Sequence, residues 1–202
     1  GRLEHAQSDH KVYRVMHYGD SQIEMDRITS VLRQRLQEMI GGTGPGMISA
    51  VKRIFSISIN QNYSGNLVRY ALVGDSTSHK ASHNRYGVMT QFCQTSGQST
   101  VNFSKTNNTQ AYDKVKEISR VSVLLGNNSE GFKVSLKAGD YQGETKTCPA
   151  KSGITLLTWE LPMTVEKGTL TFQGSAEIYA IMLDGDYGVN VDNDAVRGCS
   201  GT

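Results

Sequence analysis

Apolar positions along this chain follow two periods, and the change from one to the other divides it. Val12-Tyr13-Arg14-Val15-Met16-His17-Tyr18 is rich in β-branched and aromatic residues, the composition of a strand. Between Ile23 and Ile40, the residues Ile28, Val31, Leu32, Leu36, Met39 and Ile40 return at the three- and four-residue spacing of a helix face. The loop Gly41-Gly42-Thr43-Gly44-Pro45-Gly46 then stops that helix, because glycine accepts the backbone of a helix C-terminus. It lacks the Gly-Lys-Ser/Thr ending of a phosphate-binding loop and follows a helix instead of opening one.

Beyond about Met47 the period becomes two. Segments 54–59, 66–73, 87–92, 100–103, 120–125, 132–136, 154–159, 168–172 and 176–183 read as strands. Turn signals such as Gly126-Asn127-Asn128, Ala138-Gly139-Asp140 and Glu166-Lys167-Gly168 separate them. Many short strands with regular turns predict an antiparallel β-sandwich, most simply a jelly roll. Its core is expected to hold Val121, Val123, Val134, Leu136, Leu156, Leu170 and Ile178 or their strand neighbours. Residues 111–118 predict a short helix, and residues 1–10 a polar, frayed start.

Composition narrows the function classes. The 202 residues are 37% hydrophobic and 20% charged, and 21 Lys plus Arg stand against 19 Asp plus Glu. That balance gives no electrostatic bias towards nucleic acid, so no nucleic-acid partner is expected. No apolar run approaches the roughly 18–20 residues that span a bilayer. No signal peptide opens the sequence, and Gly1 reads as a cloning remnant, so an export signal ahead of it would be lost.

No cofactor and no metal site is expected. The three cysteines, Cys93, Cys148 and Cys199, are widely spaced with no Cys-x-x-Cys, against a zinc site. If one disulfide forms, Cys93–Cys148 is the pair within the β-rich region; free buried thiols are the favoured alternative. His79 and His83 are four apart, but the polar run around them has no helical stripe to bring them to one face. Asp184, Asp186, Asp192 and Asp194 lack the spacing of an EF-hand loop and read as turn residues.

Chemistry concentrates at Gly19-Asp20-Ser21-Gln22, where the strand gives way to the helix. Ser21 has two readings there. It is an N-cap, a position that serine favours. Alternatively it is a nucleophile, exposed by a tight turn beside free backbone N–H groups that can hold an oxyanion. A second Gly-Asp-Ser, Gly74-Asp75-Ser76, serves as a control: it also follows a strand, but a polar loop follows it.

His17-Tyr18-Gly19-Asp20-Ser21-Gln22-Ile23-Glu24, with Asp26-Arg27-Ile28-Thr29 and the 41–46 loop, resembles the first block of the SGNH (GDSL-type) esterases. The resemblance implies that Ser21 is the nucleophile and that its backbone N–H is an oxyanion donor, with Gly19 and Asp20 as supporting motif residues. Near the other end, Val191-Asp192-Asn193-Asp194-Ala195-Val196-Arg197-Gly198-Cys199-Ser200-Gly201 resembles the second block, whose glycine, here Gly198, implies a second oxyanion donor. The alternative for Gly198 is a plain surface turn. The two blocks flank the β-rich stretch, an arrangement similar to peptidoglycan O-acetylesterases of this family, in which a carbohydrate-binding-like sandwich interrupts the catalytic domain. The expected division is 1–48 as the first part of an SGNH-like α/β domain, 49–182 as the inserted sandwich, and 183–202 as the return to the α/β domain.

The family pattern also needs an Asp-x-x-His block to supply the base, and an asparagine block for a third oxyanion donor. Neither occurs in these 202 residues. The expectation is therefore the front part of a longer serine esterase, inactive alone, whose remaining half lies in the same gene product or on a separate chain. Its partner would be acylated carbohydrate or peptidoglycan, and by family resemblance its place would be periplasmic, cell-surface or secreted. The alternative is a non-catalytic carbohydrate-binding or interaction module. Tyr63, Tyr86, Tyr141 and Trp159 are then the aromatics that would form a glycan platform or, alternatively, belong to the core.

Overall fold

The computed structural model describes residues 2–52, 54–73 and 78–195. After a short 3-10 turn at Arg2–His5 come β1 (Val12–Gly19), a 3-10 segment (Ser21–Asp26) and α1 (Arg27–Ile40). The strands β2 (Gly46–Ile48), β3 (Ile59–Ala71) and β4 (Gln91–Lys105) lead to a second short turn at Asp113–Lys116. Then follow β5 (Ile118–Asn128), β6 (Phe132–Ala138), β7 (Tyr141–Gln142), β8 (Lys146–Cys148) and β9 (Lys151–Val165). The last three are β10 (Lys167–Gln173), β11 (Ala176–Asp184) and β12 (Gly188–Ala195).

Ten strands form one sheet whose pairings are all antiparallel, in the order β7-β6-β10-β4-β11-β5-β9, with β2 on β11, β3 on β4 and β8 on β6. Alternation decides which face is dry. On β6, Phe132, Val134, Leu136 and Ala138 are buried while Lys133 and Lys137 are exposed. Leu136 and Val134 stand opposite Leu170 and Phe172 of β10, and Leu170 in turn faces Val101 of β4, so apolar side chains meet in cross-strand rows. The two ends of the sheet also meet. Trp159 of β9 donates its indole N–H to the Glu144 carbonyl, 2.9 Å away and just past β7, and packs into the same core as β6. At Gly143 an added Cβ would lie 2.8 Å from that indole ring, so the approach needs a residue without a side chain. The sheet thus curls almost onto itself around one apolar core, and the expectation of a mostly antiparallel β fold holds.

Six of the seven core residues expected from the pattern are buried: Val121, Val123, Val134, Leu136, Leu170 and Ile178. Leu156 is not; it is 55% exposed on the outer side of β9 with Ile154, while the next residue, Leu157, packs against the core. On this outermost strand the inward phase falls on Leu157, Trp159 and Leu161, so the strand neighbour of Leu156 takes the core position. Segment 54–58 is loop, and β3 starts only at Ile59. Its apolar residues are used irregularly instead, with Ile57 buried and Phe55 half-exposed. The short helix expected in 111–118 is the 3-10 turn at Asp113–Lys116.

A smaller layer lies outside this sheet. Strands β1 and β12 pair in parallel, Val12 opposite Gly188 through Gly19 opposite Ala195. One face of the pair packs on the outer side of β11, where Met16 joins Met47, Met89, Ala180 and Met182. Arg14 reaches from the same face to both Asp184 and Asp192. Asp184, Asp192 and Asp194, expected as turn residues, are therefore buried strand residues or strand ends; of the four, only Asp186 is an exposed turn residue.

Helix α1 docks against β12 with an unexpected face. Its buried side chains are Thr29, Arg33 and Gln37, while Ile28, Val31, Leu32 and Met39 are between 45% and 80% exposed. The reason is the edge of β12. The Val189 N–H donates to the Gly41 carbonyl at 3.0 Å, so this residue's peptide groups point away from β1. Gln37 Nε2 donates to the Val189 carbonyl at 3.0 Å, and Arg33 Nε to the Val191 carbonyl at 3.0 Å. Polar side chains of the helix thus satisfy carbonyls that a further strand would otherwise have taken.

Candidate functional site

Ser21 stands at the junction that the sequence pattern indicated. Strand β1 ends at Gly19, and Ser21 is the first residue of the 3-10 segment. The cap is Asp20 and not Ser21: Asp20 is extended, and its Oδ1 accepts the Gln22 N–H at 2.8 Å. That removes the capping reading of Ser21, whose side chain is left exposed. Gly19 packs closely on Ile23: an added Cβ would lie 2.9 Å from Ile23 Cδ1 and would make that side chain turn aside. The helix does not run unbroken from Ile23. Met25 and Asp26 have positive φ angles of 66° and 65°, and regular α-helix begins at Arg27.

That kink places Asp26 where Arg33 can hold it. Arg33 Nη1 lies 2.7 Å from Asp26 Oδ2, Nη2 lies 3.1 Å from Asp26 Oδ1, and the Ser58 hydroxyl donates to the same carboxylate. The group is almost fully buried, with Arg33 at 2% and Asp26 at 5% exposure. Thr29 donates to Asn193 Oδ1 at 3.2 Å, and Asn193 donates to the Ile23 carbonyl at 3.0 Å, which ties the Ser21 segment to β12. Since the Thr29 proton is used there, His17 Nδ1, 2.9 Å from Thr29 Oγ1, is the donor in that pair.

Gly198 lies outside the described residues, as does Cys199. The strand leading to Gly198 is described, however, and its last residue, Ala195, pairs with Gly19, two residues before Ser21. The strand that leads to Ser21 and the described part of the second block, residues 191–195, therefore run side by side in the same direction, with Gly19 level with Ala195. Against the carboxyl end of β12 lies a cleft of about 120 Å³, and Ser21 is not among the residues that line it. Open α/β sheets characteristically bind ligands at the carboxyl ends of parallel strands.

The cleft runs from Asn193, Asp194 and Ala195 of β12 to the 47–56 loop and to Arg69 and Gln91 of the large sheet. Gln61 of β3 steadies the loop by donating to the Ser49 and Ala50 carbonyls at 2.6 and 3.1 Å. Arg69 Nε donates to Gln91 Oε1 at 2.5 Å. Asp194 accepts from Thr90 Oγ1 at 2.8 Å, and burial pushes its carboxyl up to about 6 against the opposing pull of Thr90 and Arg69. Lys52 is pushed down by desolvation, with its Nζ 4.8 Å from the Phe55 ring centroid. Among the described residues no group of three or more His, Cys, Asp and Glu side chains is placed to hold a metal ion.

Several of these residues were not singled out from the sequence. Arg33 and Gln37 fall at i+4 and i+8 from Thr29, a polar stripe that was legible but lies beside a more conspicuous apolar one. Asp26 was noted only as part of the motif, and Asp194 only as a turn residue. Lys52 carried no local signal. Of the aromatics weighed as a glycan platform, Trp159 and Tyr86 are core residues, Tyr141 packs against the core, and Tyr63 is 45% exposed on β3. Cys93 and Cys148 are both buried and free, so the disulfide does not form.

No protein-family model and no curated protein matches the chain. Among solved structures, a peptidoglycan O-acetylesterase is similar over 98% of this chain, with a TM-score of 0.66 and 18% identity. This chain covers 52% of that protein, about half its length. At that identity the likeness is one of fold alone, and it includes the small layer as well as the large sheet. Carbohydrate-binding modules are more distant: a family 32 module from C. perfringens NanJ in complex with galactose has a TM-score of 0.39 and 12% identity, over 63% of this chain and 94% of that one. A family 6 carbohydrate-binding module has a TM-score of 0.41 and 12% identity, over 68% of this chain and 91% of that one. At those scores the likeness carries no argument.

Proposed function

We propose that this chain belongs to a serine esterase of the SGNH type that removes acyl groups, most simply acetyl, from a carbohydrate or peptidoglycan substrate. The single observation that carries the reading is the position of Ser21: exposed, not used as a cap, and at the carboxyl end of one of two parallel strands. In this reading Ser21 Oγ attacks the ester carbonyl, and the Ser21 and Gly198 backbone N–H groups hold the oxyanion. The proton leaves to a base supplied from outside these 202 residues, because the Asp-x-x-His block is absent from them. The same remainder would extend the small sheet at β1, which pairs only with β12 among the described residues, and cover the apolar face of α1. Residues 1–48 and 183–202 are then one α/β unit interrupted by 49–182, and the protein would work outside the cytoplasm, where such substrates are found.

A binding-only role is the second reading, favoured by Tyr63 with its exposed neighbours Asn62 and Ser64 on edge strand β3. Hydrolysis of p-nitrophenyl acetate separates the two. The full-length protein should turn it over, Ser21→Ala should lose several orders of magnitude, and the 202-residue chain alone should be nearly inactive. Glycan binding without any Ser21-dependent turnover by the full-length protein would select the second reading. Strong Ser21-dependent turnover by the short chain would place the base among its own residues, with His17 the first to test.

A further inference from the structure

The turn that follows Ser21 is held against its own backbone preference. Glu24 (φ −56°, ψ 157°) and Met25 (φ 66°, ψ 10°) have angles close to the central pair of a type II turn, whose second central position normally takes glycine. Asp26 follows with a φ of 65°. Two successive side-chain-bearing residues at positive φ persist only where the surroundings over-determine them. Three different elements do so here. Asn193 of β12 donates from Nδ2 to the Ile23 carbonyl at 3.0 Å. The Ile57 N–H donates to the Met25 carbonyl at 3.1 Å, and Arg33 of α1 holds the Asp26 carboxylate.

Of the three ties, that of Asn193 lies nearest the serine, and Asn193 stands opposite His17 in the β1–β12 pair. Its orientation is fixed. A carbonyl only accepts, so Nδ2 must face Ile23, which leaves Oδ1 to accept the Thr29 hydroxyl proton. Thr29 is fully buried, and its oxygen in turn takes the Nδ1 proton of His17. The hydrogen bonds therefore run one way, from His17 through Thr29 and Asn193 to the Ile23 carbonyl. A neutral His17 ring in this chain keeps its Nε2 without a proton.

We propose that Asn193 is a positioning residue for Ser21, holding the turn after the serine against β12, the strand that leads towards Gly198. It acts through the backbone at Ile23, two residues beyond the serine. The proposal deepens the esterase reading and rests on it for the kinetic part of the test alone.

Hydrogen exchange of the 202-residue chain and kinetics of the full-length protein test it together. Asn193→Ala should speed amide exchange across residues 21–27 about three- to tenfold, the range of one net hydrogen bond, and leave β4, β5 and β10 unchanged. Thr29→Val should act in the same direction. Thr29→Ser, which keeps the hydroxyl, should retain the protection. In the full-length protein Asn193→Ala should lower kcat at least about tenfold with KM within about twofold, because a misplaced nucleophile costs rate and not binding. Nitrogen-resolved NMR of the neutral His17 ring should show its proton on Nδ1. Unchanged exchange in 21–27, protection lost across both layers, or a raised KM at unchanged kcat would overturn the proposal. So would a proton on His17 Nε2, because the chain of hydrogen bonds would then not run towards Ile23. Absence of any esterase activity in the unsubstituted full-length protein would sink the enzymatic reading, and the exchange result would still decide this one.

Discussion

The two layers of this molecule are held by opposite means. The ten-stranded sheet encloses an apolar core in which residues such as Phe132, Leu136, Leu170 and Phe172 are fully buried. The β1–β12 layer with α1 buries an arginine, a glutamine and several carboxylates, while leaving most of the helix's apolar residues in water. Apolar burial is non-directional and tolerant of detail. Paired buried charges are neither: each depends on its partner, and removing one leaves the other stranded. The small layer is therefore the one expected to respond to pH and to single polar substitutions, and it is the layer that carries Ser21.

The largest effect expected is from Arg33→Met. It leaves Asp26 buried without its cation and should cost about 3–5 kcal/mol in urea unfolding, as truncated buried ion pairs do. Adding Asp26→Asn to that variant should restore part of the loss. Leu136→Ala serves as the counterpart in the large sheet, at about 2–5 kcal/mol, with no second-site polar change that restores it. A loss for Arg33→Met below about 1 kcal/mol, in the range of exposed ion pairs, would break the comparison.

The next effect is one of pH. Burial pushes the carboxyls of Asp184 and Asp194 up to about 6, and for Asp184 this prevails over the attraction of Arg14. Unfolded, both titrate near 3.9. The folded state therefore binds more protons between the two values. The stabilisation from these groups is fully present below about pH 4 and is lost as pH rises through about 6. Unfolding free energy measured from pH 4 to 7.5 should carry this downward contribution, on the order of 2 kcal/mol per group, and Asp194→Asn should flatten it. A profile unchanged by that substitution would show that Asp194 is not held protonated by its surroundings.

The smallest effect is expected at Leu32→Lys. The side chain is half-exposed on the unused face of α1, so this chain should change by no more than about 0.5 kcal/mol. In the full-length protein the same substitution should destabilise clearly if the remainder of the chain covers that face. Equal neutrality in both would leave the apolar face uncovered and count against the proposed extension of the small layer.

Much of this architecture was legible in local pattern. Alternation located most of the strands and six of the seven listed core positions, because side chains on a half-buried strand must point alternately to core and solvent. The strand, turn and helix around Ser21 were legible too, since each is specified by neighbours within a few residues. What failed did so for non-local reasons. The phase of the outermost strand β9 depends on which side the curled sheet covers, and the loop at 54–58 alternates without any strand to pair with. Buried carboxylates look like turn residues until Arg14, 170 residues or more away in sequence, is brought to them.

Helix α1 shows the division most clearly. Its sequence fixes that it is a helix and presents two stripes, an apolar one and the polar one of Thr29, Arg33 and Gln37. Periodicity alone favours burial of the apolar stripe. Tertiary structure decided otherwise, because the outer edge of β12 presents the Val189 and Val191 carbonyls, which only hydrogen-bond donors can satisfy. That edge forms only once residues 188–195 have paired with residues 12–19, a contact between segments far apart in sequence. Local sequence determines the elements and the faces they can offer; which face is used depends on the partner that long-range pairing supplies.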